Sequence, residues 1–203
     1  MRREEQRPKR ADPVGAALAN DRISLVVPDV EHYRSLRQWE LSGYLAVRWR
    51  HRGLTPSPQA FEETLWAGVI AQYLVAEKST GTVRGIVAAY DANFQSGYAH
   101  IAAAKFEAAD CSLAVAEGSL LLVNHVFNSW PVRKLYFRLP EFNLRQIEGG
   151  LRRFAVEEAR LAGHVFAGGR LWDEVTFALY RERWEKDCTI FDRILEPHGE
   201  AVS

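Results

Sequence analysis

The chain has 203 residues, of which 47% are apolar and 26% are charged, so it can bury the core of one globular domain of ordinary size. Lysine plus arginine equals aspartate plus glutamate, at 26 each. This balance excludes a chain-wide electrostatic attraction to nucleic acid or to an anionic membrane, and any anion-binding site has to be local.

The cysteines and the apolar segments indicate the cellular compartment in which the protein is expected. Cys111 and Cys188 form no CxxC pair, and the chain begins without the apolar run of a secretory signal. No window approaches the roughly 18 consecutive apolar residues of a membrane helix. We therefore expect a cytoplasmic protein with reduced thiols and no membrane partner.

In chain order, residues 1–20 mix charge, proline, glycine and alanine without a period, and we predict a disordered N-terminal tail there. Ile23 to Val27 is a short β-branched run that predicts a strand. Asp29 can cap the helix that follows, whose apolar residues recur at helical spacing. With no internal repeat in the sequence, we predict one domain over residues 21–190 and a C-terminal tail over residues 191–203.

A second helix is predicted to begin at Ser57, which suits the N-cap position, with Pro58 in the first turn. Three strand-like runs follow, over Gln72 to Glu77, Arg84 to Asp91 and Tyr98 to Phe106. The segments between these runs are short and rich in turn residues, so the three strands are predicted to form an antiparallel meander.

The second half of the chain alternates helices and strands. Gly118 to Trp130 is predicted as a helix that Pro131 stops, and Lys134 to Leu139 as a strand. Two long strands are predicted to turn at Ala167-Gly168-Gly169. In the last strand, from Trp172, apolar or aromatic groups occupy both sides, so we expect this final hairpin inside a layered α/β structure with helices on both faces of the sheet.

Three stretches carry a resemblance to a known family. They are RKLYFRLPEFNLRQ (Arg133 to Gln146), EEARLAGHVFAGGRLWDEVTFALYRERW (Glu157 to Trp184) and TGTVRGIVAAYD (Thr80 to Asp91). Together with the element order, they resemble the GCN5-related N-acetyltransferase (GNAT) superfamily and, within it, the RimJ/RimL-like branch that acetylates ribosomal proteins. The resemblance implies an α/β (α+β) fold with a mixed, mostly antiparallel central sheet of about six to seven strands, split between the fourth and the fifth, and helices on both faces.

The same resemblance implies the chemistry. In this superfamily the acyl-CoA thioester lies in the gap between the fourth and fifth strands, here Tyr98 to Phe106 and Lys134 to Leu139. Main-chain amides of the next loop, here Ala109 to Gly118, hold the pyrophosphate at the positive end of a helix. We expect an acyl-CoA-dependent N-acyltransferase that uses acetyl-CoA and no metal, and that acetylates a primary amine of a peptide or a small molecule by direct attack. Homodimers are common in the superfamily.

The predicted pyrophosphate loop departs from the family pattern, which has a basic or glutamine residue and two glycines. Its only glycine is Gly118, and the carboxylates of Asp110 and Glu117 would weaken CoA binding. A non-catalytic binding or scaffold protein on the same fold therefore stays open as the alternative. The candidate cofactor-binding residues are Phe106, Cys111, Ser112, Leu113, Ala114, Val115, Ala116, Glu117, Gly118 and Asn143.

Single polar residues were assigned roles by their positions. The superfamily places a base near the end of the fourth strand, which is Glu107 here, and the alternative is a solvated charge. Tyr180 could face the cleft as a catalytic residue or serve as half-buried packing. Asn143 matches a family asparagine that contacts the pantetheine arm, and it also suits an N-cap. His100 and His164 lack partners at ligand spacing, so no metal site is predicted.

Two further predictions concern charged residues near the last turn and the segment between the first two helices. Asp173 and Glu174 are expected to form ion pairs with Arg170 or Arg181. The segment from Trp49 to Ser57 is expected to lie near the acceptor pocket, because the superfamily shapes that pocket with the connection between its first two helices.

Overall fold

The computed structural model describes residues 18–41, 43, 45–107, 110, 112–145 and 147–195. The strands are β1 (Ile23–Val26), β2 (Val69–Glu77), β3 (Val83–Asn93), β4 (Tyr98–Lys105), β5 (Lys134–Pro140), β6 (Val156–Ala167) and β7 (Arg170–Tyr180). The helices are α1 (Val30–Leu41), α2 (Pro58–Leu65), α3 (Ala114–Ser129), α4 (Glu141–Leu144), α5 (Glu148–Phe154), α6 (Arg181–Asp187), the 3₁₀ helix η1 (Cys188–Phe191) and α7 (Asp192–Leu195). None of the helices in these ranges is both long enough and apolar enough to cross a membrane.

All seven strands form one open, mixed sheet in the order β1-β2-β3-β4-β5-β7-β6. Neighbouring strands are antiparallel except β4 and β5, which are parallel. A parallel pair requires a crossover connection, and α3 provides it. This architecture confirms the predicted fold class, including the division of the sheet between its fourth and fifth strands.

Alternation along the strands gives the sheet two different faces. On one face, α3 packs against a large apolar cluster, and its buried side chains include Val75, Val87, Ile101, Leu135 and Phe177. On the other face, α1 and α2 cover a smaller cluster, which includes Leu36, Phe61, Leu74 and Ile86. The smaller cluster leaves room on that face for polar side chains near β5 and β7.

Two element boundaries differ from the sequence prediction. Helix α3 begins at Ala114 rather than at Gly118, because Val115 already packs in the apolar cluster under the helix. After Tyr180 the chain turns into α6 instead of continuing as a strand, and the ring of Trp184 is buried there. The predicted pyrophosphate loop is therefore shorter than its sequence range, and its second half is helical.

The final hairpin is divided between the interior and the edge of the sheet. Strand β7 lies between β5 and β6 and buries Val175, Phe177 and Ala178, as its apolar pattern predicted. Strand β6 is an edge strand with mostly exposed residues. The prediction of an interior position is therefore wrong for β6, because helices cover only the inner strand of this hairpin.

The predicted tails lie only partly within the described residues. Ala19 forms a bridge with Ser24, whereas residues 1–17 lie outside the described ranges. At the other end, α7 replaces the predicted start of a C-terminal tail, and Leu195 packs against the main cluster. Residues 196–203 lie outside the described ranges.

Candidate active site

The central feature of the sheet is the place where β4 and β5 separate. The two strands pair only through Tyr98 with Lys134, Ala99 with Leu135 and His100 with Tyr136. Strand β4 continues to Lys105 and β5 to Pro140, with no further pair between the two strands in the described part of the chain. Main-chain groups that face each other across this gap can form hydrogen bonds with an extended ligand.

His100 lies at the vertex of the gap, in the last residue pair before the strands part. Its neighbour Ile101 belongs to the cluster under α3, so alternation places His100 on the opposite face. The imidazole lies between two tyrosines, with ring centroids 5.4 Å from Tyr90 and 5.5 Å from Tyr136. The vertex therefore presents a histidine in an aromatic setting on the face that carries α1 and α2.

The environment of His100 favours its neutral form. Burial lowers its pKa below the ordinary value of 6.5, the positive charge of Arg138 acts in the same direction, and Asp91 offsets only part of this effect. Nδ1 is buried and has no hydrogen-bond partner among the described residues. No group of three or more His, Cys, Asp or Glu side chains in the described ranges could hold a metal ion. A neutral histidine at the vertex can accept a proton from a bound acceptor.

A buried carboxylate with two arginines lies on the same face, next to the open part of the gap. Glu174 on β7 is fully buried; its Oε1 accepts from Arg52 Nη2 (3.0 Å) and its Oε2 from Arg138 Nε (2.6 Å). His164 Nε2 lies 3.6 Å from Oε2. Burial raises the pKa of Glu174, but the hydrogen bonds from the two guanidinium groups outweigh burial and hold this pKa below its ordinary value. One carboxylate against two guanidinium groups leaves a net positive charge.

The connection between α1 and α2 bridges the gap on this face. Arg50 Nη2 donates to Gln72 Oε1 on β2 (2.7 Å), on one side of the gap. Two residues later, Arg52 donates to Glu174 on β7, on the other side. Arg52 has a φ of 45°, followed by Gly53 at 90°, so the backbone is strained where this side chain turns to its partner. The segment predicted to lie near an acceptor therefore covers the face that carries His100.

The N-terminus of α3 opens into a cavity of about 490 Å³. Its lining includes Asp21, Arg22, Glu77, Ser112, Leu113 and Ala114. Asp110 fixes the turn before the helix, because its carboxylate accepts from the backbone N–H (2.8 Å) and from the hydroxyl (3.0 Å) of Ser112. The N-cap residue Leu113 offers no side-chain acceptor, so the first-turn amides remain available to an anion.

Ion pairs neutralise two of the carboxylates that line this cavity. Arg22 pairs with Glu117, and Arg84 with Glu77 at 2.9 Å. The side chain of Arg22 is 65% exposed, so it brings to the cavity a cation that the loop itself lacks. The lining still carries the carboxylates of Asp21, Glu77 and Glu117 beside Arg22, so phosphate groups such as those of CoA would be held here by the amides at the start of α3 and not by net positive charge.

No family model matches the chain, and no curated protein matches its sequence. A spermidine N-acetyltransferase from Vibrio cholerae in complex with CoA and spermine superposes with a TM-score of 0.67 at 15% identity, covering 82% of this chain and 99% of that one. RimL, a ribosomal alpha-N-protein acetyltransferase in complex with coenzyme A, gives 0.66 at 14% identity, with 81% and 97% covered. A GCN5-related N-acetyltransferase from Brucella melitensis gives 0.67 at 18% identity, with 91% and 87% covered.

This chain has the GCN5-related N-acetyltransferase fold. At these identities the likeness establishes the fold and leaves the acceptor open, since a polyamine enzyme and a ribosomal-protein enzyme match about equally well. The RimJ/RimL-like branch is therefore not singled out within the GNAT superfamily.

Two of the residues predicted to bind the cofactor, Val115 and Gly118, are buried outside the cavity lining. Glu117 is only 3% exposed, and Val115 is also buried. A Cβ atom at Gly118 would lie 2.7 Å from Val75 Cγ2, so this glycine allows α3 to approach the sheet and does not serve a phosphate loop. Of the loop predictions, Ser112, Leu113, Ala114 and Glu117 line the cavity, Ala116 is exposed, and Cys111 lies outside the described residues.

Phe106 and Glu107 follow the end of β4 in different settings. Phe106 is buried and stacks on Trp39 with ring centroids 4.1 Å apart, so it supports the core under α1 and does not line the open gap. Glu107 is exposed directly after it, at the open end of the gap and beyond the last residue of β4. A carboxylate at this place can contact solvent, whereas the vertex is occupied by His100.

Asn143 lies inside α4, which follows β5 without a break. Its Oδ1 accepts from Arg48 Nη1 (2.5 Å), and the same guanidinium lies 5.1 Å from the ring of Phe142. The N-cap of α4 is Pro140, so the interpretation of Asn143 as an N-cap is wrong. Asn143 instead ties the segment between α1 and α2 to the end of β5, beside the gap.

Tyr180 lies opposite Lys134 in the β5–β7 register, at the joined end of β4 and β5. Its hydroxyl donates to Glu158, which also accepts from Lys134 Nζ at 2.8 Å and from the hydroxyl of Tyr136 at 3.0 Å. The hydrogen bond to Glu158 raises the pKa of Tyr180. The expectation that Tyr180 faces the cleft is not met, because the open part of the gap lies at the other end of the strand.

The ion pairs predicted near the last turn have different partners. Asp173 pairs with Arg160 on β6 at 3.3 Å, and Glu174 pairs with the arginines described above. Arg170 instead stacks on Trp172, 3.5 Å from the ring centroid, and Arg181 donates to main-chain carbonyls at the end of α3. The arginine partners of Glu174 are 122 and 36 positions away in the sequence, so spacing could not have indicated them.

Proposed function

We propose that the protein is an N-acetyltransferase that transfers the acetyl group of acetyl-CoA to a primary amine of a peptide or a small molecule by direct attack. The observation that carries the proposal is the position of His100, at the vertex of the β4–β5 gap and on the face bridged by the segment between α1 and α2. Acetyl-CoA supplies a thioester, and direct transfer of its acetyl group requires a base near the amine.

Each part of the gap supports one requirement of this reaction. The lowered pKa of His100 keeps the imidazole neutral, so it can take the proton of an acceptor ammonium. In this reaction, main-chain groups of β4 and β5 along the gap would bind the pantetheine arm and donate to the developing oxyanion. The amides at the start of α3, with Arg22, would bind the phosphates in the cavity.

The first test is cofactor binding followed by turnover. Calorimetric titration with acetyl-CoA is expected to show saturable binding, and release of CoA thiol in the presence of an amine panel is expected to show transfer. Absence of both would contradict the proposal and favour a binding or scaffold protein on the same fold. Binding of acetyl-CoA without transfer to any amine would support the cofactor site but contradict the proposed catalysis.

The second test concerns the base. His100→Gln is expected to lower kcat by about 10²- to 10⁴-fold, as loss of a general base does, with little change in acetyl-CoA affinity. His125→Gln is the matched control, because burial also lowers the pKa of His125 but this residue lies on α3, away from the gap. Glu107→Gln tests the base predicted from the sequence; a larger loss there than in His100→Gln would transfer the role to Glu107.

The pH dependence of kcat follows from the lowered pKa of His100. Only neutral His100 acts as a base, so kcat is expected to rise with pH and to level off after a midpoint below the ordinary value of 6.5. In His100→Gln this rise is expected to disappear. A wild-type midpoint well above 6.5 would contradict the assignment.

A further inference from the structure

We infer that the acceptor carries a carboxylate or phosphate group near its primary amine, and that Arg52 and Arg138 bind this anionic group. The inference rests on the proposed function and adds the substrate class. Arg138 follows Tyr136 by two residues on β5, and Tyr136 is the partner of His100. At about 3.3 Å per residue, Arg138 lies about 7 Å beyond the vertex on the same face, beside the open gap.

The two arginines keep binding capacity after pairing with Glu174. Their side chains are 50% and 44% exposed, whereas Glu174 is fully buried. A guanidinium has five N–H donors in a rigid fork, and Glu174 takes only part of them. The buried carboxylate therefore fixes the position of two partly exposed cations, which is the arrangement that recognition of a second, soluble anion requires.

The charge of this group acts on the proposed catalytic residue. Arg138 contributes to the lowered pKa of His100, and both arginines act electrostatically on Tyr90. An anion bound by the arginines would thus lie near an amine bound at His100. His164 borders the same carboxylate and adds positive charge when it is protonated.

A purely structural role for Arg52, Arg138 and Glu174 does not explain why two arginines bind one carboxylate. One arginine would be enough to neutralise Glu174, yet two bind it, and the charge of the second is opposed by the carboxylate of Asp91, which also acts on Tyr90 and His100. Arg52 also adopts a left-handed backbone conformation at the position from which it reaches Glu174, and strain of this kind clusters at functional sites. Two partly exposed guanidinium groups beside the acceptor position would also repel a polyamine acceptor.

The experiment compares pairs of amines that differ only in the anionic group. The pairs are β-alanine with β-alaninamide, O-phosphoethanolamine with ethanolamine, and a short C-terminally amidated peptide beginning with aspartate with the same peptide beginning with asparagine. Spermidine is the polycationic reference. Dissociation constants are measured by calorimetry with and without acetyl-CoA, and kcat/KM by CoA thiol release. The anionic member of at least one pair is expected to be favoured by about 10- to 100-fold, as charge-assisted hydrogen bonds are.

Variants connect this preference to the arginines. Arg138→Gln and Arg52→Gln are each expected to reduce the preference to within about 3-fold while the neutral amine keeps its affinity. Glu174→Gln keeps both arginines and an amide oxygen that can still accept from one of them, and it removes the negative charge that competes with the acceptor's anion, so it is expected to strengthen the preference. This variant also covers the case in which an arginine variant fails to fold. Arg160→Gln is the matched control, since Arg160 is a partly exposed arginine bound by carboxylates on the same hairpin, and it is expected to leave the preference unchanged.

The outcomes separate the two proposals. Equal affinity within every pair, a preference for spermidine, or a preference that survives both arginine variants would overturn the inference, and acetyl transfer would still stand. Absence of acetyl-CoA binding and of transfer would overturn the proposed function, and the amine dissociation constants measured without acetyl-CoA would still decide the inference. The pair that shows the largest ratio identifies whether the anion is a free carboxylate, a phosphate or an acidic peptide residue.

Discussion

On the face covered by α3, the central strands present apolar side chains that are buried almost completely, among them Val87, Ile101 and Phe177. On the opposite face, the next residues of the same strands include His100 and Arg138. A helix covers the first face, whereas an irregular segment that carries arginines bridges the second. The alternation of strand residues thus places packing and polar chemistry one residue apart.

The difference between the two faces of the sheet predicts which substitutions change stability and which change ligand binding. The buried cluster under α3 consists of apolar and aromatic side chains, so changing them alters mainly packing. Polar side chains on the other face hold one another through hydrogen bonds and ion pairs, such as Arg50 with Gln72 and Arg52 with Glu174. Substitutions there are expected to change ligand affinity or pH response more than the free energy of unfolding.

The largest effect on stability is expected from Phe177→Ala under α3. Phe177 is fully buried at the centre of β7, and removing such a ring lowers the free energy of unfolding by about 3–5 kcal/mol through lost burial and the cavity that remains. Urea denaturation followed by tryptophan fluorescence measures the change. Phe166→Ala at the exposed end of β6 is the control, because Phe166 is 71% exposed; equal losses in the two variants would contradict the packing assignment.

A smaller effect is expected where α3 meets the sheet. Gly118→Ala places a Cβ 2.7 Å from Val75 Cγ2 and 3.3 Å from Leu25 Cδ2, so overpacking is expected to lower the free energy of unfolding by about 1–3 kcal/mol. Gly149→Ala in α5 meets no atom within 4 Å and is expected to gain up to about 1 kcal/mol from helix propensity. A higher free energy of unfolding in both variants would contradict the packing role of Gly118 and favour its predicted role as a glycine of the phosphate loop.

Most of the fold could be predicted from the sequence, because its signals are local. Ser57 was recognised as an N-cap, and its hydroxyl accepts from the N–H of Ala60 at 3.2 Å. The alternation in β7 indicated a strand with helices on both faces. The start of α3 was misplaced, since its N-cap residue Leu113 makes no side-chain capping bond and so leaves no cap signal in the sequence.

The candidate site was less predictable, because its contacts are long-range. Arg52 and Glu174 are 122 positions apart in the chain, and no periodicity connects them. His100 could be assigned to the polar face from the alternation in YAHIAAAK, but its place at the vertex depends on where β4 and β5 stop pairing. That register is fixed by α3 and by the following strands, which the sequence of β4 alone does not contain.

The smallest expected effect is a change in how stability depends on pH, and it comes from Glu40 on the polar face. Glu40 is fully buried, and burial raises its pKa even though Arg50 lies 3.2 Å from the carboxylate and opposes the shift. Below pH 4.5, the ordinary value, this carboxyl is protonated in the folded and the unfolded chain. As pH rises from there through the raised pKa, the unfolded chain releases its proton first, so the free energy of unfolding falls.

Glu40→Gln removes this titration without changing the size of the side chain. The stability of the variant relative to the wild type is therefore expected to increase as pH rises from 4.5 and then to become constant, which urea denaturation at a series of pH values can measure. Glu62→Gln on an exposed position of α2 controls for the loss of one carboxylate. A difference between Glu40→Gln and wild type that does not vary with pH would mean that Arg50 fully compensates the buried charge, and that the polar face, like the apolar one, contributes to stability independently of pH.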